Sequence, residues 1–289
     1  MAGRIDLLRV VRLPILLGGA LGYALGALLG LASGAVFNPL QFVVCYGVVV
    51  LGDLSTHFSN DYFDVGLDRV APRKMFGGSN LLIARADLMS SALDVAKTLS
   101  LASIALAALA AVMGVSLIII PLVLAANALG WLYSLPPIKL AYRGLGEAAI
   151  AVGTGFGVPA AGYLAVKGSL DTGFALVSLA LVLYGFVLGM SLELPDLEAD
   201  RAGGKMNLVA RFGWRVSLLV ALLLCVASTV ILAVFSGRAM AMGSVIPLGA
   251  VVLGNIFASD NFWRLDAVAS GCIISLFAFL VVSVGSLIL

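Results

Sequence analysis

An all-α bundle of nine membrane-crossing helices is the fold class this sequence predicts, on three observations. Of its 289 residues, 62% are hydrophobic and 11% charged, whereas a soluble domain carries about 25% charged residues. The apolar residues fall into runs near the roughly 20 residues that cross about 30 Å of hydrocarbon. The basic residues fall almost wholly on one side of the bundle that those runs define.

In chain order the runs are roughly 12–33, 40–60, 90–113, 115–134, 145–166, 172–193, 214–236, 240–257 and 266–288. Arg4, Arg9 and Arg12 precede the first, which outruns a signal-peptide core and lacks a clean small-x-small cleavage site. It reads as a retained first helix. The fourth and eighth contain Pro121 and Pro247, tolerable where neighbours satisfy the freed carbonyl. Gly18, Gly19, Gly22 and Gly26, then Gly153, Gly155 and Gly157, read as close-packing positions between helices. Cys45, Cys225 and Cys272 all lie in apolar runs; an odd number there argues against a disulfide framework or a zinc site. With no separate soluble domain or linker in view, residues 1–289 read as a single membrane-embedded domain.

Nine crossings place fifteen basic residues with the N-terminus and leave only Lys167 and Arg238 opposite. The positive-inside rule then puts the N-terminus in the cytoplasm. Three polar loops, about 61–89, 135–144 and 194–213, share that side and form a cytoplasmic cap. The net charge of +2 is spread over several loops and gives no nucleic-acid surface.

Two of these loops begin in acids. Asn60, Asp64 and Asp68 are spaced i, i+4, i+8, one helix face about 6 Å apart. Asp196 and Asp200 repeat the step, followed by Gly203, Gly204 and Lys205. Asp53, His57 and Asp61 extend the first stripe into the apolar run. Ionisable groups at that depth cost about 2.5–3.5 kcal/mol each and normally face a cavity or the bundle interior. His57, the only histidine, reads first as the partner of Asp53 in a hydrogen bond inside the bundle. Stacked carboxylates need a cation, and an oxygen-only donor set suits Mg²⁺ bridged to a phosphate. Arg73, Lys74, Lys139, Arg143 and Lys205 supply countercharge for the remaining phosphate oxygens. A diphosphate carried on a lipid-soluble group, such as an isoprenoid diphosphate, meets both requirements.

Asn-Asp-Tyr-Phe-Asp-x-x-x-Asp at 60–68, Tyr-Ser-x-Pro-Pro-x-Lys-Leu at 133–140 and Asp-x-x-x-Asp at 196–200 before Gly-Gly-Lys together resemble the UbiA superfamily of intramembrane aromatic prenyltransferases. Tyr142-Arg-Gly-Leu-Gly-Glu147 resembles its menaquinone branch, which prenylates dihydroxynaphthoate. The resemblance implies a nine-helix bundle whose two aspartate motifs hold Mg²⁺ and a prenyl diphosphate. By position it implies Asn60, Asp64, Asp68, Asp196 and Asp200 as metal ligands, the four aspartates as catalytic, Lys139 near the diphosphate, and Asn127 and Tyr133 lining the cavity. The expected partners are a prenyl diphosphate, a small hydrophobic or aromatic acceptor and the bilayer. After Asp68 the chain reads Arg69-Val-Ala-Pro-Arg-Lys, a departure from the ubiquinone branch that leaves the acceptor open. Two other readings stand beside it: prenyl transfer to a non-aromatic acceptor such as a glycerol-phosphate ether, and a cation- or proton-coupled transporter. A transporter would place its acids nearer mid-membrane, on broken helices in inverted repeats.

Overall fold

The computed structural model describes residues 6–69 and 75–288; Arg4, Arg73 and Lys74 lie outside them. Among the described residues, nine longer helices carry the fold: α1 Leu13–Ala32, α2 Pro39–Phe63, α3 Met89–Val112, α4 Ile119–Ser134, α5 Gly146–Lys167, α6 Thr172–Glu193, α7 Leu208–Phe235, α8 Val245–Phe257 and α9 Phe262–Ile288. Among the described residues, eight spans are long and apolar enough to cross a membrane, with α4 a shorter apolar helix. The protein is thus an all-α polytopic membrane bundle.

The expected fourth span, 115–134, is cut back at its start. Gly114 takes a left-handed φ of +91°, and Ser116 then forms a turn, its carbonyl accepting from Ile119 N at 3.0 Å. Sixteen residues remain helical, about 24 Å at 1.5 Å per residue. The eighth span runs Arg238–Phe257 but breaks at Ser244, where Pro247 cannot donate to the Gly243 carbonyl. The α7 helix starts earlier than its apolar run: Leu208–Phe212 precede a non-helical Gly213.

Two apolar cores flank the interior. One joins Val177–Leu197 of α6 and the turn after it to buried residues of α7, α8 and α9. The other joins Tyr23 of α1 to Cys45 and Val48 of α2, Ala107 of α3, Val123 of α4 and Leu164 of α5. Large apolar side chains such as Leu101, Leu223, Val230 and Phe257 stay exposed on the outside, as lipid allows and water would penalise. Glycine sets the closest approaches. A Cβ at Gly26 would overlap the Pro159 carbonyl, and one at Gly162 the Tyr23 carbonyl, so α1 and α5 touch backbone to backbone. Gly155 likewise lies on Leu181 and Val182 of α6. Gly153 has open space around it and serves differently, starting the π turn Gly153–Gly157 inside α5.

At one end of the bundle, Leu81 and Leu82 of a short helix bury against Leu7, Val10, Phe58, Leu88, Ala92 and Ala96. This plug holds the loop around Gly77–Asn80 over the interior.

Replacing Gly26 with valine should cost about 3 kcal/mol or more, because the clash is with backbone and overpacking alone costs 1–3. Gly271→Ala, where nothing lies within 4 Å, should leave the melting temperature of detergent-solubilised protein within a degree or two, on the order of 0.5 kcal/mol. Equal melting temperatures for the two variants would refute the backbone contact between α1 and α5.

Candidate active site

Both acidic stretches sit where a long helix ends. The last turn of α2 closes with Asp64 N donating to the Asn60 carbonyl at 2.9 Å, and Asp68 N donates to the Asp64 carbonyl at 2.9 Å. The four-residue spacing therefore survives a bend at Asp64 (φ −96°, ψ 5°) into the short helix Val65–Asp68. The α6 helix ends the same way, with a 3₁₀ turn over Leu194–Asp196 and a short helix Leu197–Ala202. Pro195 has no N–H to extend the helix. Carboxylates at helix C-termini face the negative end of the macrodipole, so each needs donors from elsewhere.

Those donors come from the loops between helices. Ser134 Oγ, the last residue of α4, donates to Asp64 Oδ2 at 2.6 Å, and Tyr142 Oη donates to Asp64 Oδ1 at 3.3 Å. Leu135 is extended (ψ 122°), as a residue before proline prefers, which turns the chain so that Tyr142 returns to α2. Burial, then the nearby Asp64 carboxylate, pushes the Tyr142 hydroxyl up to about 12, so it remains a donor at neutral pH. Lys139, at a left-handed φ of +45°, holds its ammonium 4.4 Å from the Tyr142 ring centroid, a cation–π contact.

Across the interior, Asp200 is 1% exposed. Its Oδ2 accepts from Asn207 Nδ2 at 2.5 Å and lies 3.7 Å from Lys205 Nζ. Asn207 also caps α7, accepting from Ala210 N at 2.7 Å. Leu208 N donates to Glu147 Oε1 at 2.5 Å, tying this loop to the start of α5. Burial alone would lower the Lys205 ammonium, but the surrounding Tyr133, Asp200, Glu193 and Asp64 hold it well above its ordinary value. Lys205 is therefore a fixed positive charge among acids.

Asn60, Asp64, Asp68, Asp196 and Lys205 all line one cavity of about 830 Å³, together with Asn127 and Tyr133. Its volume is that of a pocket for a sizeable ligand. Three other residues singled out in the sequence stand off its wall. Asp200 is set back from it, bonded to Asn207 and paired with Lys205 of the wall. Lys139 reaches the site through Tyr142. Arg143 is exposed and donates to the Pro137 carbonyl at 2.9 Å. The polar stripe on α2 also divides: Asp53 and His57 line the cavity, whereas Asp61 turns to Arg12 and Ser79. That contact pins the N-terminal segment and the 77–80 loop to α2.

Among the described residues, no three carboxylate, imidazole or thiol side chains converge into a closed metal cage. The donor set is open, with oxygens on two walls, as suits a magnesium ion that keeps waters and binds substrate phosphate. One oxygen fits such an ion directly: Asn60 Oδ1 is buried on the wall with no hydrogen-bond partner, a costly state unless something polar is bound there.

The UbiA prenyltransferase family matches residues 20–282. The chain belongs to that family. It is therefore a membrane-embedded prenyltransferase, and the transporter reading falls away. No match is found among curated proteins. The fold is similar to that of digeranylgeranylglyceryl phosphate synthase, at TM-score 0.69 and 18% identity over 100% of this chain and 99% of that one. A UbiA homologue from Archaeoglobus fulgidus bound to GPP and Mg²⁺ gives 0.68 and 17%, covering 96% and 99%. The apo UbiA homologue from Aeropyrum pernix K1 gives 0.72 and 18%, covering 96% and 98%. These likenesses concern the fold and extend to the family as a whole, not to one of its branches.

Sequence reasoning missed several residues that build this UbiA-family site. Ser134 and Tyr142 lie in the 133–140 and 142–147 segments, where spacing alone gives them no role. Asn207 stands two residues after Lys205 of Gly-Gly-Lys, a polar signal at a helix start. Glu193 ends α6 on the cavity wall, with both carboxylate oxygens buried and unbonded. Arg12 had been counted only as a charge.

Replacing Asp61 with alanine should destabilise the fold by about 3 kcal/mol, the low end for breaking a buried pair, because Asp61 is 3% and Arg12 23% exposed. Limited proteolysis should then cut within 75–80 faster than in the parent protein. Unchanged protection of that loop would show that the pair does not hold it.

Proposed function

We propose that this protein transfers a prenyl group from an isoprenoid diphosphate to an aromatic, quinone-precursor-like acceptor, with Mg²⁺, at the cytoplasmic end of a nine-passage bundle. The single observation that carries the reading is the shared wall: acids from α2 and from the end of α6 face one cavity that also holds Lys205. Fifteen of the seventeen Lys and Arg residues fall on the side of these loops if α4 is counted as a passage, which supports the orientation. A GPP- and Mg²⁺-bound homologue of the same fold supports the donor and the metal.

Mg²⁺ held by Asn60, Asp64, Asp68 and Asp196 would supply positive charge to the diphosphate as it departs. Asp200 contributes through Lys205 and Asn207 rather than from the wall. The Lys205 ammonium offers charged donors to the leaving oxygens, and Ser134 and Tyr142 hold the Asp64 carboxylate in one orientation. The allylic C–O bond breaks with its electron pair leaving on the diphosphate. The acceptor then bonds to the same carbon and gives up a proton. Apolar walls formed by Val48, Val49, Leu122 and Leu280 keep water from the developing cation. Open glycine surface at Gly153 leaves width for the prenyl chain. Arg73 and Lys74 remain proposed diphosphate partners on sequence alone.

A second reading of the acceptor, a glycerol-phosphate ether, is favoured by the likeness to digeranylgeranylglyceryl phosphate synthase and by Arg9 and Arg12 on the cavity wall. The segment 142–147 favours the aromatic acceptor. Purified protein in lipid nanodiscs, given geranyl diphosphate and each acceptor class, decides between them by product mass.

Asp64→Ala and Asp196→Ala should each lower transfer by about 10²–10³-fold, the usual loss when one transition-state charge partner is removed. Both should elute as folded protein. Asp200→Ala should fall with Lys205→Met, chiefly by weakening donor binding. Chelation should silence the parent protein and added Mg²⁺ restore it. Turnover within a few fold of the parent in Asp64→Ala, or persisting with chelator, would sink this reading.

A further inference from the structure

Inward of the diphosphate end, the same face of α2 carries a second polar pair. Asp53 lies seven residues before Asn60, about 10 Å along the helix axis. Asp53 and His57 both line the cavity. His57 is 4% exposed, and neither ring nitrogen has a hydrogen-bond partner. Its Nε2 stands 3.5 Å from Asp53 Oδ1, outside hydrogen-bond alignment. The carboxylate is the open member, 27% exposed. Opposite it on α1 is Gly19, where an added Cβ would come into van der Waals contact with Asp53 Oδ2 at 3.9 Å, so the missing side chain is what leaves that oxygen uncovered. A carboxylate is thus held on the cavity wall within range of the Arg12 charge, with a side-chain-free glycine in front of it and an unbonded imidazole behind. Burying both is costly, and among the described residues only the Arg12 charge offsets it for the carboxylate, while the imidazole makes no hydrogen bond.

We propose that Asp53 receives the proton of a hydroxyl-bearing acceptor during prenyl transfer, with His57 as its positioning residue. This rests on the prenyl-transfer reading above and adds the acceptor side to it. The acceptor O–H donates to Asp53 Oδ. As the carbon–diphosphate bond breaks, the acceptor's oxygen, or the ring carbon its oxygen activates, bonds to the allylic carbon. The O–H proton passes to the Asp53 carboxylate. On the ring-carbon route the ring C–H proton is then lost and the oxygen is reprotonated, so one net proton leaves through the cavity. Charge and atoms balance with no further reactant. The loose Asp53–His57 distance suits a pair that tightens once substrate is present. A phenol and a glycerol hydroxyl offer the same donor, so the pair requires a hydroxyl and not a particular skeleton.

The test uses full-length protein in nanodiscs with Mg²⁺ and geranyl diphosphate. Readouts are binding of geranyl diphosphate, diphosphate release without acceptor, and transfer to 1,4-dihydroxy-2-naphthoate and to geranylgeranylglyceryl phosphate. In Asp53→Asn, donor binding and acceptor-free release should stay within about twofold, while kcat for transfer falls about 10²-fold, the ordinary worth of a general base. Asp53→Glu should recover part of that loss, and His57→Gln should lose less than Asp53→Asn. Transfer by Asp53→Asn within threefold of the parent, or equal loss of donor binding and transfer, overturns the inference alone. So does a parent protein that releases diphosphate but prenylates neither probe. A parent protein with no Mg²⁺-dependent release overturns the prenyl-transfer reading, and this inference with it.

Discussion

Like charge across an apolar chamber is the constraint on which this structure turns. Two helices end in carboxylates, each at the pole of the macrodipole that disfavours them, and both ends open on the same cavity. Left alone, the two sets would drive the ends apart. They are held by donors from other parts of the chain: Ser134 and Tyr142 on Asp64, Asn207 and Lys205 on Asp200, Arg12 and Ser79 on Asp61. None of these donors belongs to the helix whose acid it serves. The loops at this end are therefore structural parts of the site and not only connections.

The chamber itself follows from how the helices share their apolar surface. One core gathers α6 to α9 with Leu25 of α1, the other joins α1 to α5, and each includes a helix that ends in acids. Close backbone contacts at Gly26, Gly162 and Gly155 tighten the seams around the cavity without filling it. Open glycine surface at Gly153 leaves space inside. Glycine thus acts in opposite senses: where another helix lies against it, it closes the gap, and where none does, it widens the chamber.

Much of this was legible in the chain. Apolar runs located the spans because hydrocarbon admits only helices with satisfied backbones. The four-residue spacing of Asn60, Asp64 and Asp68 survived because backbone hydrogen bonds bridge the bend at Asp64. The fourth span was misjudged in length because hydropathy counts Val115–Ile118 as helix, whereas Gly114 and Ser116 make them a turn. Asp61 and Asp64 look equivalent in sequence; only the neighbours of α2 decide that one is an anchor and the other faces the cavity.

The sequence by itself determined that the chain lives in a bilayer, where its long apolar helices run, the shorter fourth apart, and that two acidic motifs end two of them. Those properties are local: they depend on length, polarity and spacing along a single helix. The tertiary structure decided which acids face the cavity, that Asp200 pairs with Lys205, that Lys139 lies over the Tyr142 ring, and that Asp53 faces Gly19. Such facts depend on which side of each helix meets another, and that is fixed by packing between residues far apart in the chain.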